Sequence, residues 1–523
     1  MDKDAVDIAP IGANLGYKLI QGYIHISELE RQNKTCAYVD YRQATMLSKN
    51  LEKCLTFLGV QRRIIDIVKN TKIHFCSSHS SRYSSNMAFH ELVENQRKYF
   101  NTGETKKVEV RRHYLNTLRK ALEENRDKFC EAVFKDHRRA KELTSSIEID
   151  GVLAELDYFL ANFEKWSEPV PVDRTSVLSQ DDIPMLVKDP VGVVLVIGPW
   201  NYPIILVMAP VMAALSAGNT VVLKPSEVSA NTSKVFEEVM SKYFDKKVLA
   251  VVQGGVEETT DLLKEHFNHI LYTGAPFVGK IVMTAAAKHL TPVTLELGGK
   301  CPVVIADDAD LEAAAKKVVQ TKWVNCGQTC IAPDYAIVSP KVKSKFIDEV
   351  RKAIQESFTD DVKSCPMYSR MINDRHFDRV KGILDRSKAP PLIKAGELDR
   401  NDIFIPPLVL DAKADDAFME DEIFGPVLPV LTTQNLDETV KHIAGGEKPL
   451  AVYVFTDSKD VMKKIWNETT SGAVLGNDIM SHVNVMTLPF GGIGHSGMGR
   501  YRGKFGFDTF THEKAVLMRN VKN

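Results

Sequence analysis

The stretch VGVVLVIGPWNYPIILVMAPVMAALSAGNTVVLKPS, residues 191–226, contains two β-branched runs that flank an apolar segment with helical spacing. Its apolar length approaches that of a membrane span, but prolines and asparagines interrupt it. A strand, a loop, a helix and a second strand, all buried, fit this composition better than one continuous membrane helix. The stretch therefore predicts a βαβ unit, the building block of a parallel sheet.

The alternation of strand-like and helical segments continues as far as residue 299. VLAVVQG precedes ETTDLLKE, HILYTG precedes FVGKIVMTAAAKH, and TPVTLELGG follows. Strands separated by helices of this length predict a mostly parallel, doubly wound sheet, which binds ligands at the carboxyl ends of its strands. Chemically distinctive residues do follow the predicted strands, namely Asn201, Lys224, Gly274 and Glu296.

A second alternating set, from residue 337 to about 477, predicts another α/β domain. Its strand-like segments are YAIVSP, FIPPLVLD, LPVLTT, LAVYVFT and AVLGND. The segment IPMLVKDP follows a proline-bearing connection and is typical of a hairpin outside the main domain. The predicted fold class is α/β, with a doubly wound parallel-sheet domain, a second α/β domain and a small β-hairpin element.

The predicted domain boundaries follow from these patterns. The serine-rich stretch SSHSSRYSSN, residues 77–86, has the composition of a linker and suggests a boundary near Met87. We expect an extension of unknown role over residues 1–86, a first domain over 87–297 with a hairpin segment at about 167–188, a second domain over 298–485, and a C-terminal oligomerisation segment over 486–523.

Composition excludes several classes of function. The chain has 523 residues, enough for two or three domains, and its 67 basic and 68 acidic residues leave no net field that would favour nucleic acid or an anionic membrane. Eight cysteines are too sparse for a disulfide framework, and no N-terminal segment has the form of a signal peptide. We expect a soluble, cytoplasmic protein that acts on a small molecule.

The segment WVNCGQTCIAPDY, residues 323–335, places Cys330 directly after a polar turn that contains Gly327. The helical pattern that starts near Asp310 ends at this turn, so the segment can direct both the Cys330 sulfur and its backbone N–H at one point. A free cysteine is more often a small buried hydrophobe, and that interpretation stands beside the catalytic one.

Cys326, four residues before Cys330, suggests two further uses of these thiols. A zinc site would need two more ligands, for which His266 and His269 are only guesses, so we expect no metal. A reversible Cys326–Cys330 disulfide under oxidising conditions stays open.

Seven short motifs, spread from residue 198 to residue 499, resemble the successive motifs of the aldehyde dehydrogenase superfamily. They are GPWNYP at Gly198, KPSE at Lys224, YTGAPFVGK at Tyr272, LELGGK at Leu295, CGQTCIAPDY, EIFGPV at Glu422 and PFGGIGHSGMG at Pro489. The resemblance covers about residues 87–520. The segments AAAKHLTPVTLELGGK and GQTCIAPDY are most similar to the class 3 and fatty aldehyde dehydrogenase branch.

The resemblance implies that the protein oxidises an apolar aldehyde to a carboxylic acid through a thiohemiacetal and a thioester. It makes Cys330 the nucleophile, and the Asn201 amide with the Cys330 backbone N–H the oxyanion hole. It makes Glu296 the general base, with a pKa that we expect its apolar neighbours Leu295 and Leu297 to raise. Without the resemblance, Asn201 would be an ordinary turn residue and Glu296 a solvated or paired charge.

The resemblance also implies a cofactor, NAD or NADP, with residues 87–297 as its binding domain and 298–485 as the catalytic domain. Pairs of residues match the positions that hold its parts: Lys224 and Glu227 the adenosine ribose, Gly274 and Gly279 the pyrophosphate, and Glu422 and Phe424 the nicotinamide ribose and ring.

Two other functions remain open at this point. A related enzyme could transfer the acyl group of the thioester to coenzyme A. Such an enzyme can dispense with a base that activates water, so the presence of Glu296 argues against this alternative. The chain could also be an abundant nucleotide-binding structural protein. A homodimer is implied by the family, with the hairpin near residues 183–188 and the segment KAVLMRNV as expected contacts.

Overall fold

A computed structural model of the chain describes residues 78–519, so most of the extension expected over 1–86 lies outside the described residues. The helix Ser78–Asn101 runs without a break across Met87. The serine-rich stretch is therefore helical from Ser78 onward, since serine is only moderately unfavourable in a helix, and the domain boundary expected near Met87 stays a prediction. The Gln96 side chain donates to the backbone oxygens of Val221 and Lys246, both at 2.9 Å, and so attaches this helix to a sheet.

Fifteen α-helices are found among the described residues. They are α1 (Ser78–Asn101), α2 (Val108–Glu124), α3 (Arg126–His137), α4 (Lys141–Thr144), α5 (Asp150–Ser167), α6 (Ile205–Ala217), α7 (Ala230–Tyr243), α8 (Val256–Leu262), α9 (Pro276–Ala287), α10 (Leu311–Lys322), α11 (Lys343–Phe358), α12 (Asp374–Arg386), α13 (Leu436–Gly445), α14 (Lys459–Glu468) and α15 (Gly503–Thr509).

The same part of the chain contains sixteen strands. They are β1 (Val170–Pro171), β2 (Ile183–Pro190), β3 (Val193–Ile197), β4 (Thr220–Lys224), β5 (Leu249–Val251), β6 (His269–Thr273), β7 (Val293–Glu296), β8 (Pro302–Ile305), β9 (Tyr335–Val338), β10 (Pro391–Lys394), β11 (Leu408–Asp411), β12 (Val427–Thr432), β13 (Ala451–Phe455), β14 (Ala473–Gly476), β15 (Gly497–Met498) and β16 (Thr511–Met518).

A six-stranded sheet in the order β15-β7-β6-β3-β4-β5 confirms the predicted doubly wound sheet. All neighbours are parallel except β15, which is antiparallel to β7. Strands β3, β4 and β6 are buried along their whole length, which explains why they appear in the sequence as continuous apolar runs. The register pairs Ile197 with Lys224 and Thr273 with Glu296, so the last residues of these strands lie at one edge.

A seven-stranded sheet in the order β10-β11-β12-β9-β8-β13-β14 confirms the second α/β unit. Only β10 is antiparallel to its neighbour. The central strand β8 was not predicted, because its four residues follow the glycine loop after β7 too closely to stand out from it.

A three-stranded antiparallel sheet, β1-β2-β16, contains the expected hairpin strand. The strands β2 and β16 pair over their full lengths. The C-terminal segment expected over residues 486–523 is not confined to this sheet. Its strand β15 joins the six-stranded sheet, and its helix α15 contacts α5 and α6. No helix within residues 78–519 combines the length and the apolarity that crossing a bilayer requires.

Candidate active site

The turn that precedes Cys330 has an unusual backbone. After α10 ends, Asn325, Cys326 and Gly327 adopt φ values of 53°, 56° and 71°, three consecutive left-handed residues of which only one is glycine. The Gln328 side chain fixes the turn by donating to the backbone oxygens of Asn325 and Arg370, both at 3.0 Å. Left-handed residues with side chains persist where their surroundings hold them, and they cluster at functional sites.

Gly327 brings this turn against the EIFGPV segment. A Cβ at Gly327 would overlap the backbone oxygen of Gly425. The Trp323 indole N–H donates to the Pro426 oxygen at 2.9 Å, which makes a second tie between the two segments. The turn that carries Cys330 and the segment that carries Glu422 are therefore held as one unit.

Asn201 lies beside the cysteine turn, at the loop that follows β3. Its side-chain Nδ2 donates to the Gln328 backbone oxygen at 3.1 Å, and its own backbone oxygen accepts from Asn325 Nδ2 at 3.0 Å. Asn201 is 3% exposed. Because an amide nitrogen carries two protons, one N–H of Asn201 remains for another acceptor.

A buried ion pair between Arg139 and Glu148 lies behind these two loops, and both side chains are fully buried. Arg139 donates to the Asn201 oxygen and to Asn325 Oδ1, each at 3.2 Å. Glu148 accepts from the Ile204 N–H at 2.7 Å, just before α6. The pair therefore positions both loops. Sequence analysis missed it, because Arg139 lies among other charged residues in the connection between two helices.

Glu296 ends β7 and is 2% exposed, and neither of its carboxylate oxygens has a hydrogen-bond partner within residues 78–519. Burial raises the pKa of Glu296 well above its usual range, and the positive charge of Arg502 opposes that rise. Ionisation without a partner is costly in such a place, which is the physical reason for the raised pKa.

The Glu422 carboxylate packs against Gly298, where a Cβ would overlap it. Burial, followed by the charge of Asp334, raises the pKa of Glu422 to about 8; a hydrogen bond from the Gly299 N–H and the charge of Arg379 oppose the rise. Glu422 therefore contacts the glycine loop that directly follows Glu296 in the sequence.

Cys330 is partly exposed, and the other four cysteines within residues 78–519 are buried. Burial of the thiol, then the charges of Glu422 and Glu296, raise the pKa of Cys330, whereas its own N–H and that of Ile331 act to lower it. The thiol is thus neutral in this state, with two carboxyl groups close enough to affect its ionisation.

Lys224 ends β4 with a buried side chain, and its Nζ donates to the Pro225 oxygen at 2.9 Å and to Glu227 Oε2 at 2.8 Å. The Glu227 side chain is 47% exposed, so the pair presents one ammonium and one carboxylate at the edge of the six-stranded sheet. These two groups can hydrogen-bond neighbouring hydroxyls of a sugar.

Gly274 and Gly279 flank the start of α9, and their own N–H groups are already bonded, to the Glu296 oxygen at 2.9 Å and to the Ala275 oxygen at 3.1 Å. Gly274 has a φ of 158°, and a Cβ at Gly279 would lie 3.0 Å from the Leu297 side chain. These glycines therefore contribute no donors of their own; the absence of a side chain lets Tyr272 and Leu297 pack against the helix start.

Phe424 has a φ of 45°, and its ring meets the edge of Trp200 at 5.3 Å. Arg379 donates to the Ile423 and Phe424 oxygens at 2.5 and 3.2 Å. His376 lies 4.8 Å from Trp200 and has a buried Nδ1 without a partner among the described residues. Sequence analysis did not select Trp200, Arg379 or His376. Their contacts with Phe424 and with one another join segments that are distant in the sequence.

Cys326 and His269 are packed in the interior, whereas His266 is exposed. Cys326 is fully buried, its Sγ lies 3.9 Å from Tyr368 Oη and 3.8 Å from Met371 Sδ, and burial raises its pKa to about 12. This environment favours packing over redox exchange. His269 is bonded to Thr294 at 2.9 Å. Within residues 78–519 no group of three or more potential metal ligands is found.

Two parallel sheets whose loops meet at one thiol and two buried carboxyl groups define the chain as an α/β enzyme. A family model with the description "Aldehyde dehydrogenase family" matches residues 76–516. The chain belongs to the aldehyde dehydrogenase family and is an NAD(P)-dependent oxidoreductase, which confirms the resemblance seen in the motifs.

Individual relatives agree with this assignment. "Aldehyde dehydrogenase, dimeric NADP-preferring" of Rattus norvegicus is 43% identical over 434 residues, 83% of this chain and 95% of that protein. "Aldehyde dehydrogenase family 3 member A2" of Mus musculus is 41% identical over 82% of this chain and 87% of that protein. A solved structure of Staphylococcus aureus AldH in a substrate-bound state aligns with a TM-score of 0.81 and 36% identity, over 83% and 94% of the two chains.

Proposed function

We propose that this enzyme oxidises an apolar aldehyde to its carboxylic acid through a thiohemiacetal and a thioester on Cys330. The proposal is supported by the bond from Asn201 Nδ2 to the Gln328 oxygen, two residues before Cys330, and by two buried carboxyl groups, those of Glu422 and Glu296, whose charges act on the Cys330 thiol. The apolar class of substrate rests on the similarity to the fatty aldehyde dehydrogenase branch.

The chemistry begins with the thiol. One of the neighbouring carboxylates accepts the proton of Cys330, and the sulfur attacks the aldehyde carbon. The carbonyl oxygen gains negative charge and accepts hydrogen bonds from the Cys330 backbone N–H and from the second N–H of Asn201 Nδ2. Because Arg139 and Gln328 already fix Asn201, little reorganisation is needed as the charge forms.

When bound, NAD or NADP supplies the acceptor for the hydride that leaves the thiohemiacetal. The chain fits such a group, because Gly274 and Gly279 place no side chain at the start of α9 and Lys224 with Glu227 offers hydroxyl partners. Phe424 and Glu422 lie on the segment tied to the cysteine turn, so they would hold the nicotinamide end beside Cys330.

The resulting thioester needs a water activated by a base. Glu296 suits this role, because its raised pKa makes the carboxylate a stronger base and no protein group within residues 78–519 occupies its oxygens. Glu422 is the second candidate for this base, because its pKa is also raised, to about 8. A base that activates water favours hydrolysis of the thioester over transfer of its acyl group to coenzyme A.

The proposal is tested with Cys330→Ala and Asn201→Ala, assayed with aldehydes of graded chain length and each cofactor. Cys330→Ala should lose at least about a thousandfold in turnover and keep cofactor binding, since only the covalent step loses its atom. Asn201→Ala should lose roughly a hundredfold, because one oxyanion donor remains. Substantial turnover by Cys330→Ala would overturn the proposal. If the wild-type protein shows no turnover in any of these assays, a structural role is favoured instead.

We also propose a cytoplasmic homodimer, with residues 87–297 as the cofactor domain, 298–485 as the catalytic domain and 486–523 as a segment that contributes to assembly. The relative from Rattus norvegicus is named dimeric. Leu517 and Met518, near the end of β16, are each about half exposed, 50% and 49%, which is unusual for large apolar side chains. Sedimentation of wild type and Leu517→Asp at matched concentrations would show whether β16 contributes to the dimer.

A further inference from the structure

The carbonyl oxygens of Cys330 and of the next residue, Ile331, are each held by a buried side chain. The Cys301 thiol donates to the Cys330 oxygen, with its Sγ 3.5 Å away, and the Tyr453 hydroxyl donates to the Ile331 oxygen at 2.6 Å. Both donor residues are 0% exposed. The backbone that follows the nucleophile is therefore fixed by two donors that the proposed chemistry does not use.

Both donors belong to neighbouring strands of the seven-stranded sheet. Cys301 directly precedes β8, and Tyr453 lies in β13, where it pairs with Val303 of β8. The Ala451 N–H, at the start of β13, donates to Cys301 Sγ at 3.3 Å. The Cys301 backbone oxygen accepts from the Asp334 N–H at 2.8 Å. Because its backbone and its sulfur are both tied to other segments, the Cys301 thiol is a donor with a fixed position.

The peptide unit between Cys330 and Ile331 connects this contact to the reacting sulfur. It contains the Cys330 oxygen and the Ile331 N–H, and a planar trans peptide directs its C=O and its N–H to opposite sides. Because Cys301 holds the oxygen, the Ile331 N–H is turned away from Cys301. On that side it hydrogen-bonds to the Cys330 sulfur, which acts to lower the pKa of the thiol. The contact with Cys301 therefore sets the direction of a donor to the sulfur.

The Ile331 N–H acts against several opposing effects. Burial, then the charges of Glu422 and Glu296, raise the pKa of Cys330, and the N–H groups of Cys330 and Ile331 lower it. The titratable groups that act on this thiol, or that it acts on, are Glu296, Glu422, Tyr202, Cys301, Tyr453 and Tyr501. Burial raises the pKa of Cys301 and of the three tyrosines, so these groups are neutral near neutral pH. The amount of thiolate therefore depends on how well the two N–H groups are directed.

We propose that Cys301 is a positioning residue for the nucleophile, because its thiol fixes the peptide unit between Cys330 and Ile331 so that the Ile331 N–H faces the reacting sulfur. The inference rests on the proposed role of Cys330. When the Cys330 S–H bond breaks, the proton goes to a neighbouring carboxylate, and the Ile331 N–H stabilises the electron pair left on sulfur until that pair bonds to the aldehyde carbon. Cys301 itself gains and loses no bond in this step.

The first test is the rate at which iodoacetamide alkylates Cys330 in the protein without its cofactor. Cys301→Ala removes the donor, so the Ile331 N–H is less well directed, the pKa of Cys330 rises, and less thiolate is present. Alkylation should slow at least about threefold at both about pH 7.5 and about pH 9, after subtraction of the background measured with Cys330→Ala. Cys301→Ser keeps a donor and should stay within about twofold of the wild-type rate. An unchanged rate in Cys301→Ala overturns the inference.

The matched control separates the lost donor from the cavity that the substitution leaves. Cys130 of α3 is 4% exposed and packs in the hydrophobic core, so Cys130→Ala removes the same atoms from a buried place that makes no contact with the cysteine turn. Cys130→Ala should alkylate at the wild-type rate, and equal slowing in the two variants would count against a specific role for Cys301. If Cys301→Ala does not fold, Cys301→Val, which fills the space without a donor, takes its place.

The second test follows the chemistry itself. In Cys301→Ala the burst of reduced cofactor on mixing with aldehyde should slow at least about threefold, while the dissociation constant of NAD or NADP stays within about twofold, and Cys301→Ser should restore the burst. Failure of this inference differs from failure of the proposed function. If Cys330→Ala turns over, the proposed function fails. If Cys330→Ala is inactive while Cys301→Ala keeps the wild-type alkylation rate and burst, only the role of Cys301 fails.

Discussion

Two opposing effects set the state of the Cys330 thiol. Burial and the charges of Glu422 and Glu296 favour the neutral thiol, and the N–H groups of Cys330 and Ile331 favour the thiolate. The neutral form prevails in the protein without its cofactor. This arrangement protects the sulfur from unwanted reactions and leaves its activation to a neighbouring carboxylate.

Alkylation of the cofactor-free protein measures this balance. Glu422→Gln removes a negative charge that raises the pKa of Cys330, so at any pH where Glu422 is ionised the variant has more thiolate. Because the pKa of Glu422 is about 8, the ratio of the variant to the wild-type rate with iodoacetamide should be near one at about pH 6.5 and rise severalfold by about pH 9. Cys330→Ala gives the background from other thiols, and a ratio that is flat or below one would contradict the account.

The motif resemblance selected the candidate residues, and local sequence added one expectation about Glu296. Leu295 and Leu297 flank Glu296, so a raised pKa was predictable, and burial does raise it. Arg502 and its partner Glu155 could not be paired in the same way, since 347 positions separate them. Such contacts depend on the order in which strands and helices assemble.

At the scale of elements, the turn before Cys330 is the most constrained piece of backbone. Helical periodicity predicts where α10 ends, but it does not predict that Asn325 and Cys326 adopt left-handed conformations. Those conformations are held by the Gln328 side chain, which also bonds to the Arg370 oxygen, and by the contact with the EIFGPV segment; Arg370 and that segment are remote in sequence from the turn.

Gly327→Ala tests whether the close contact between the turn and the EIFGPV segment is required. The methyl group would overlap the Gly425 oxygen, and φ of 71° is unfavourable for alanine, so we expect a loss of about 2–4 kcal/mol in the free energy of unfolding. Turnover should fall more than about tenfold, because both Cys330 and the nicotinamide segment shift.

Gly382→Ala is the matched control. Gly382 lies in α12 with nothing within 4 Å of an added Cβ, so the substitution should leave activity unchanged and raise stability slightly. Denaturant unfolding and turnover of the two variants are compared side by side. Equal stability of the two glycine variants would show that the contact at Gly327 is dispensable.

At the scale of the whole molecule, two sheets present the ends of their strands to one site. The alternation of apolar runs and helices was sufficient to predict both sheets, since fully buried strands stand out in a sequence. The sheet order, the strand β8 and the attachment of β15 to β7 were not predictable, because they depend on pairing between distant segments.

Truncation tests where the functional unit begins. The family match starts at residue 76 and α1 begins at Ser78, so a chain lacking residues 1–75 should retain wild-type turnover and melting temperature. A chain lacking residues 1–101 also loses α1 and the hydrogen bonds of Gln96, and it should be markedly less stable. Loss of activity in the shorter truncation, with a normal full-length protein, would show that residues 1–75 contribute to the enzyme.

The central claim, that Cys330 carries the acyl group and Glu296 removes it, is tested most directly by intact mass measurement of Glu296→Gln. The variant is mixed with aldehyde and NAD or NADP, then quenched after the burst. The account predicts one adduct per chain, with the mass of the aldehyde less two hydrogen atoms, on the peptide that contains Cys330, and none when Cys330→Ala is added. An adduct on another residue, or steady formation of acid without any adduct, would contradict it.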